Sequence, residues 1–499
     1  MSMKAFIGKI WARRRAAQLL RSAAQALELQ DRVFRYLIRR GRKTAFGADH
    51  DFAGIRSLKD FQARVPVRDY EAAKPWFDRI YRNEASVTWP GRPLYLAKTS
   101  GTTSGAKYIP ITRESIRNQV GAARDALLCY LAETGNGAFL DGKMMFLSGS
   151  PEIAHNPYGV RTGRLSGIVN HFVPTYLQTN KVPTYTTNCM PDWEEKVRQI
   201  VAEVHGQDLR LISGIPPWVQ MLFEELEAQT GKKPLEAWPN LQLFVQGGVN
   251  FAPYRPIFEG YFHGRVAITE VFPASEGFFA IQTRQDDEGL LLLPDNGVFY
   301  EFIPLESYGA PDAPRYSLAE VETGRQYALI LSTNAGLWAY DIGDTVIFTS
   351  LDPWKIRVSG RVKHFISAFG EHVIAEEVND AILAATQATG ARFQEFTVAP
   401  YITEAKGQSY HEWLIEFDQN PQDPEAFAEV LDHALRQRNS YYDDLRAGNI
   451  LLRAQVRQLS PQASRAYMKS QGKLGGQNKF PRLSNDRRLA DALAPYIIA

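Results

Sequence analysis

The chain has 499 residues, of which 44% are hydrophobic and 22% are charged, a composition typical of a globular protein with a large apolar core. Its charges nearly cancel, at a net +2, which argues against general binding to nucleic acid. Two cysteines, Cys129 and Cys189, are too few for a disulfide framework, and no apolar run approaches the roughly 18 residues of a membrane span. We therefore expect a cytoplasmic protein of several domains.

The N-terminal segment carries apolar residues at helical spacing, through Trp11, Leu20, Ala24 and Leu27, with Arg and Gln residues on the other face. Charged residues interrupt this pattern too early for a secretory signal. We interpret the segment as a helix docked on the protein body, with binding to a membrane surface as the alternative.

A run of small polar residues is the most informative feature of the sequence. Residues 99–105 are all Gly, Ser or Thr, and Lys107 follows. Backbone amides and hydroxyls without bulk suit a polyphosphate, and an ammonium group suits its charge. The spacing excludes a Walker phosphate loop, because the motif's second Gly, counted from Gly101, comes one residue early at Gly105, and Tyr108 stands where Ser or Thr should hold magnesium.

The surroundings of this run predict a hairpin rather than a strand-to-helix loop. Residues 93–97 and 108–111 have the pattern of short strands. The helix that follows is predicted over 113–133, with Thr112 as its N-cap. We predict a phosphate-binding hairpin loop, and an ordinary Gly/Ser/Thr turn is the alternative.

Beyond residue 140, apolar stretches alternate with helical patterns, which predicts a largely parallel buried sheet. The predicted strands are 143–147, 209–212, 241–245 and 266–272, and the predicted helices are 192–204 and 216–229. Residues 289–348 then change to consecutive strands, at 290–293, 298–303, 327–332 and 345–348, as in a barrel-like or antiparallel subdomain.

A third pattern begins near residue 360. It contains helices near 375–386 and 424–438, and strands near 393–399, 413–417 and 450–456. We predict a large N-terminal domain over residues 1–359 and a small α+β domain over residues 360–499.

Three further segments have the composition of ligand sites. Glu276 follows a predicted strand amid small residues, where α/β sheets bind ligands, and its carboxylate suits Mg²⁺ beside substrate phosphates. Asp344 ends an Asp-x-Gly-Asp sequence predicted to be a tight turn between two strands, and its carboxylate suits the hydroxyls of a ribose. Lys479 lies in a glycine-rich segment that is pliable enough to move into a distant site. A solvated turn, a plain hairpin and a surface loop are the respective alternatives.

Several common catalytic motifs are absent from the sequence. It has no Gly-x-Ser-x-Gly nucleophile elbow, no His-Glu-x-x-His and no Rossmann Gly-x-Gly-x-x-Gly. The cysteines also lack metal-ligand spacing. These absences argue against a hydrolase, a zinc enzyme or a nicotinamide-dependent enzyme.

Taken in order, the segments resemble the adenylate-forming superfamily and, more closely, the Gretchen Hagen (auxin-responsive) family of acyl-acid amido synthetases. Residues 99–110 are similar to that family's first nucleotide motif, Ser-Ser-Gly-Thr-Thr-Ser-Gly followed by Lys. Residues 274–276, Ala-Ser-Glu, match the second motif, and residues 340–344 resemble the third, Tyr-Arg-Val-Gly-Asp. Residues 360–361 and 479–482 resemble the hinge and the C-terminal Lys-x-Pro-Arg segment, so the resemblance spans essentially the whole chain.

The resemblance implies an α/β fold, with a large N-terminal domain that contains a β-barrel subdomain and a small mobile C-terminal domain. It implies that ATP and a small carboxylic acid give an acyl-adenylate and pyrophosphate. An amino acid's amine then displaces AMP to form an amide. Nucleic acid and membranes are not expected partners.

The resemblance also implies roles for individual residues. Ser100, Thr102, Thr103 and Ser104 would grip the phosphates, Ser275 would lie near the adenine, Asp344 would bind the ribose, and Glu276 would hold Mg²⁺. Lys479 would reach the α-phosphate, so that Lys479, Glu276 and Thr103 would act in catalysis. The other nucleotide-binding positions would be Gly101, Lys107, Ala274 and Arg361.

Two positions depart from the family pattern. Plant-like members carry a second phosphate-contacting Lys shortly after the hinge, where this chain has His372. Either another cation, such as Lys363 or His372 itself, replaces it, or the closed state differs. Phe272 replaces the usual Tyr, which removes a hydroxyl but keeps a ring that can stack on adenine.

The sequence identifies neither substrate. Arg124 is predicted as a partner of the acid's carboxylate, and residues 163–185 are predicted to contribute to the acyl pocket. An acyl-CoA ligase of the same superfamily and a nucleotide-binding protein without catalysis are the alternative functions.

Overall fold

A computed structural model of the protein describes residues 3–100, 106–173, 178–248, 251, 254–362, 365–366, 368–371, 373–403, 409–471 and 480–498. Within these ranges the α-helices are α1 Met3–Ala24, α2 Ala26–Gly41, α3 Ala45–Asp49, α4 Leu58–Arg64, α5 Tyr70–Tyr81, α6 Arg113–Thr134, α7 Leu165–Asn170, α8 Tyr185–Asn188, α9 Trp193–Val204, α10 Pro216–Thr230, α11 Pro234–Ala237, α12 Arg255–Phe262, α13 Ala375–Thr389, α14 Pro424–Arg438, α15 Ser440–Ala447, α16 Ala463–Ser470 and α17 Arg488–Leu493.

The strands are β1 Tyr95–Ser100, β2 Ala106–Ile111, β3 Lys143–Phe146, β4 Ala154–His155, β5 Arg161–Gly163, β6 Lys181–Val182, β7 Leu209–Ser213, β8 Leu243–Gly247, β9 Ala267–Pro273, β10 Phe278–Ile281, β11 Leu290–Leu292, β12 Val298–Pro304, β13 Gln326–Thr333, β14 Tyr340–Leu351, β15 Trp354–Arg361, β16 Phe365–Ile366, β17 Val373–Ile374, β18 Arg392–Tyr401, β19 Tyr410–Gln419 and β20 Gln455–Gln458.

One sheet dominates the architecture. Its strand order among the described residues is β12-β13-β14-β15-β11-β10-β9-β8-β7-β3-β6. Strands β6, β3, β7, β8 and β9 are parallel, and the pairings from β9 to β12 are antiparallel. The predicted parallel sheet and the predicted meander are therefore continuous with each other.

Local sequence signals explain where several elements begin. The Thr112 side chain accepts a hydrogen bond from the Ser115 amide at the start of α6, and Asp192 caps α9 in the same way through the Glu195 amide. Pro216 occupies the first turn of α10, where its missing N–H costs nothing. These helices agree with the predictions, whereas the last predicted strand, near 450–456, begins only at Gln455.

The N-terminal helix lies on the protein body, but through a different face from the predicted one. Leu19 and Ala23 are buried against α6, whereas Leu20 is exposed. Arg15 fixes this contact through an ion pair of 2.6 Å with Asp125 on α6. No described helix is long and apolar enough to cross a membrane.

The apolar core of the described residues is divided into several clusters, one of which belongs to the C-terminal part of the chain. A cluster of buried residues runs from Ile366 to Leu483 and packs helices α13 and α14 against strands β18 and β19; we call it the C-terminal core. Trp193, Trp218 and Met221 from the N-terminal side pack against its edge. The domain boundary at residue 359/360 stays a prediction.

Candidate functional site

A cavity of about 1870 Å³ opens where parallel strands β3, β7, β8 and β9 end. Ligands bind at this edge in open α/β sheets. Phe369, Gly370 and Tyr441 from the C-terminal region form part of the opposite wall. The cavity therefore lies between the sheet and the C-terminal core.

Most of the predicted site residues that the structure describes lie around this one cavity. Lys107, Ala274, Ser275, Glu276 and Asp344 all line it. Ser100 ends β1 opposite Ala106. In the strand register of β14 with β15, the backbone of Arg361 lies opposite that of Asp344. Gly101, Thr102, Thr103, Ser104, Lys363, His372 and Lys479 lie outside the described residues.

Strands β1 and β2 form the predicted hairpin. They pair antiparallel from Tyr95 opposite Ile111 to Ser100 opposite Ala106. The Tyr108 amide donates to the hydroxyl of Tyr70 at 2.9 Å, and the Lys107 ammonium lies 5.8 Å from the centre of that ring. Burial raises the pKa of Tyr70 to about 12. Tyr70, which the sequence analysis missed, thus fixes the second strand of the hairpin as a neutral hydrogen-bond acceptor.

The second segment is a tight turn between β9 and β10. The Ala274 amide donates to the Gly277 carbonyl at 2.7 Å, and Gln119 on α6 donates to the Ala274 carbonyl at 2.8 Å. Glu276 is buried, with 8% of its surface exposed, and faces the cavity. Phe272 lines the cavity as well, with its ring centre 5.0 Å from that of Phe279.

Asp344 does not lie in a turn between two strands, which corrects the prediction. The Asp-x-Gly-Asp segment belongs to β14, where the register with β13 shifts between Ala328 and Ile330. Gly343 has a φ of +85° in this bulge, and its amide donates to Asp341 at 2.8 Å. Bulges of this kind redirect a side chain within a strand.

Asp341 is held from two sides. It accepts the Gly343 amide through one oxygen and the Tyr308 hydroxyl through the other. Burial and the neighbouring Asp341 charge raise the pKa of Tyr308, so this phenol stays a donor. Asp341 therefore positions the bulge that carries Asp344.

The cavity wall also contains a buried cation that the sequence does not reveal. Lys196 on α9 is 2% exposed and donates to the carbonyls of Ser148 at 2.9 Å and Asn188 at 2.8 Å. Burial lowers the pKa of Lys196 to about 8. A lysine within an amphipathic helix resembles any solvated lysine, so only the fold identifies it.

The predicted acyl-pocket residues divide into two groups. Arg164, Leu165 and Ser166, within the stretch 163–185, line the cavity. Arg124, by contrast, lies over the Trp11 ring at 5.2 Å, because α1 covers that face of α6. Arg124 is not among the described residues that line the cavity, so the structure does not bring it to the site where the carboxylate is expected.

Glu276 fits the single-carboxylate type of Mg²⁺ site. No group of three His, Cys, Asp or Glu residues in the described part of the chain could hold a metal ion by itself. Mg²⁺ in nucleotide enzymes commonly takes one or two carboxylates together with substrate phosphates. The buried Glu276, which lines the same cavity as Lys107 of the hairpin, supplies a donor of this kind.

Comparison with known proteins decides the family. The chain matches the GH3 family N-terminal domain over residues 15–171, the central domain over 291–361 and the C-terminal domain over 376–488, together more than half of its length. The chain belongs to the GH3 family. This membership confirms the resemblance found in the sequence.

The relatives of this GH3-family chain are distant. It is 24% identical over 403 residues to a probable indole-3-acetic acid-amido synthetase GH3.2 of Oryza sativa subsp. japonica, covering 64% of this chain and 63% of that protein. It is 23% identical to the indole-3-acetic acid-amido synthetase GH3.2 of Arabidopsis thaliana, covering 64% of this chain and 71% of that one. The match to the rice protein thus spans slightly less than two thirds of its length.

Solved structures show the same fold. GH3.15 acyl acid amido synthetase superposes with a TM-score of 0.60 at 15% identity, over 97% of this chain and 96% of that one. A 2-hydroxyisobutyryl-CoA ligase gives a TM-score of 0.59 at 14% identity, over 95% and 92%. The predicted adenylate-forming-enzyme-like α/β fold class is confirmed.

Proposed function

We propose that this GH3-family protein uses ATP to adenylate a small carboxylic acid and then transfers the acyl group to the amine of an amino acid. The products are an amide, AMP and pyrophosphate. One observation carries the proposal: Lys107, the turn with Ser275 and Glu276, and the bulge with Asp344 come from three distant segments and face one cavity. We infer that one mononucleotide bound in this cavity contacts all three.

The first step needs charge stabilisation rather than a base. The acid arrives as a carboxylate and attacks the α-phosphorus of ATP, and the bond to pyrophosphate breaks. Negative charge develops on the phosphorus oxygens and on the leaving group, so cations there stabilise the transition state more than the ground state. We assign this role to Lys479 and, with the hydroxyls of the 99–105 segment, to Lys107. Mg²⁺ bound through Glu276 would neutralise phosphate charge.

Asp344 and Ser275 orient the nucleoside. We assign the ribose hydroxyls to the Asp344 carboxylate, which the Asp341-supported bulge presents to the cavity. We assign the adenine to the turn at Ser275, with Phe272 available for ring stacking. In the second step the amine attacks the acyl carbon, and AMP leaves.

The test uses the purified full-length protein. ATP, Mg²⁺ and a panel of aliphatic, phenyl and indolyl carboxylic acids are supplied, and pyrophosphate release is measured. We expect release that depends on the acid. Pooled amino acids or CoA are then added, and the products are identified by mass spectrometry.

The outcomes separate the candidate functions. An amide supports the proposal, and a thioester with no amide supports an acyl-CoA ligase instead. ATP binding without acid-dependent release would mean a non-catalytic nucleotide-binding protein. The variant Lys479→Ala should slow release strongly while ATP still binds, and Lys469→Ala, an exposed lysine at the end of α16, serves as its control.

A further inference from the structure

Two polar side chains stand side by side in the cavity wall. Strands β8 and β9 are parallel, and their register places Gln246 opposite Glu270. Adjacent strands lie about 4.8 Å apart, so these two side chains project from the same face as neighbours. Both residues line the cavity.

Gln246 is buried without a hydrogen-bond partner. Its exposed fraction is 1%, and neither its amide nitrogen nor its amide oxygen is bonded within the described part of the protein. More than about nine in ten buried polar groups in proteins are paired, because an unpaired one forfeits its hydration. An unpaired amide in the wall of a ligand cavity therefore indicates a partner supplied by the ligand.

Glu270 has two polar neighbours in the described part of the protein, and its carboxylate makes no hydrogen bond to either within 3.5 Å. Burial raises its pKa, while the positive charge of Arg255 and a longer side-chain interaction with Gln246 oppose that rise. Among the described residues, no ion pair within 4.0 Å joins Glu270 to Arg255, whose guanidinium lies over the Phe251 ring. A ligand group that donates to the carboxylate and accepts from the amide would satisfy both side chains.

We propose that Gln246 and Glu270 bind a hydroxyl group carried by the acyl acid, at its end remote from the carboxylate. This inference rests on the proposed function. A hydroxyl accepts the Gln246 N–H and donates its own hydrogen to Glu270. A methyl group would leave both unpaired, and a second carboxylate would be repelled by Glu270. The ligand class is thus a small hydroxylated carboxylic acid.

The position on the strand supports this assignment. Glu270 lies three residues before Pro273, the last residue of β9, or about 10 Å along the strand. The nucleotide turn at Ala274–Glu276 follows directly. An acid bonded to Glu270 at one end can therefore present its carboxylate near the phosphates at the other. Phe272, between Glu270 and this turn on the same strand, lines the cavity with apolar surface, and Phe251 and Ile268 line it as well.

The experiment compares matched acids with and without the hydroxyl. The pairs are para-hydroxyphenylacetate with phenylacetate, para-hydroxybenzoate with benzoate, and omega-hydroxyhexanoate with hexanoate. For wild type we expect kcat/KM of pyrophosphate release to favour the hydroxylated member of at least one pair by about tenfold or more, since a site that hydrogen-bonds a hydroxyl discriminates strongly against its absence.

The variants Gln246→Met and Glu270→Gln should reduce that preference to about twofold or less while the deoxy acids remain substrates. Gln220→Met removes another buried glutamine, one that is bonded to Glu224 on α10, and should leave the preference unchanged. If a variant fails to fold, the comparison of matched acids with the wild-type protein alone still tests the preference for the hydroxylated acid.

Three results would overturn the inference. If the wild-type protein has the same kcat/KM for both acids of every pair, the inference is overturned, and the proposed function is unaffected. A preference that persists in both variants, with only the KM of the amine altered, would assign the two residues to the second substrate. Absence of release with every acid would overturn the proposed function together with the inference.

Discussion

Arg164 forms an ion pair with Asp444, and this contact joins the N-terminal side of the cavity to helix α15 of the C-terminal region. The guanidinium also lies 4.6 Å from the ring centre of Tyr441 on the same helix. Tyr441 is half-buried, and its hydroxyl interacts with the side chain of Thr99, near the end of the strand that leads into the Gly/Ser/Thr run. Any movement of the C-terminal region away from the sheet must break these contacts.

We expect Arg164→Ala and Asp444→Ala to loosen this contact. Because the side chains are 33% and 54% exposed, a double-mutant cycle on stability should give a coupling energy of about 0.5–1 kcal/mol. Hydrogen exchange of residues 440–448 should accelerate in either single variant.

The matched control is the ion pair between Arg438 and Asp380, which lies within the C-terminal region at 2.7 Å. Removing it should leave exchange in residues 440–448 unchanged. Equal acceleration by both sets of variants would mean that the contact between Arg164 and Asp444 has no special part in joining the two sides.

Glu276→Gln should increase the Mg²⁺ concentration required for pyrophosphate release. The change keeps the shape of a buried side chain but removes the negative charge that attracts the cation. We expect the Mg²⁺ midpoint to rise about tenfold or more, with acid-dependent release restored at high Mg²⁺.

Glu288→Gln provides the control for Glu276. Glu288 also lines the cavity but is exposed to solvent. Its variant should keep the wild-type Mg²⁺ titration. An unaltered midpoint in Glu276→Gln would remove the assignment of the metal to this carboxylate.

Local signals predicted much of the fold, because caps, prolines and alternating strands act over a few residues. The hairpin at 95–111, the Thr112 cap and the α10 start at Pro216 all follow from such signals. The bulge around Gly343 was missed because it depends on the register with β13, which a single strand does not encode.

The cavity wall was harder to predict than the nucleotide segments. Motif residues such as Glu276 are recognisable by their neighbours in the chain. Gln246 and Lys196 differ from ordinary surface residues only through burial, which depends on packing between distant segments. The ion pair between Arg164 and Asp444 joins residues 280 positions apart, so no local pattern signals it.

Gly343→Ala should weaken ATP binding. A Cβ is strained at the φ of +85° found in the bulge, at a cost of about 1–2 kcal/mol. Relaxing that strain would move Asp344, so the KM for ATP should rise about tenfold or more while kcat changes less.

Gly309→Ala is the control with the same strain. Gly309 has a φ of +87° and nothing within 4 Å of an added Cβ. It should lower stability by a similar amount but leave the KM for ATP unchanged. If both variants altered KM equally, general destabilisation would explain the effect and the positioning role of the bulge would be wrong.

Lys196 should make stability depend on pH in the alkaline range. Its pKa is lowered from the ordinary value of 10.5 to about 8 in the folded protein, because burial disfavours the charged form. Between these two values the unfolded chain binds more protons than the folded one, so stability rises with pH. The change in pKa corresponds to about 3 kcal/mol in total.

The comparison protein is Lys196→Met, which fills similar space without a charge. The difference in the free energy of unfolding, wild type minus variant, should grow from pH 8 to pH 10.5 by up to about 3 kcal/mol. Urea unfolding at several pH values measures it, and groups that titrate equally in both proteins cancel. The variant also leaves the Ser148 and Asn188 carbonyls unpaired, which shifts the difference at every pH but not its slope. A difference that stayed constant with pH would mean that Lys196 is not desolvated in the folded protein.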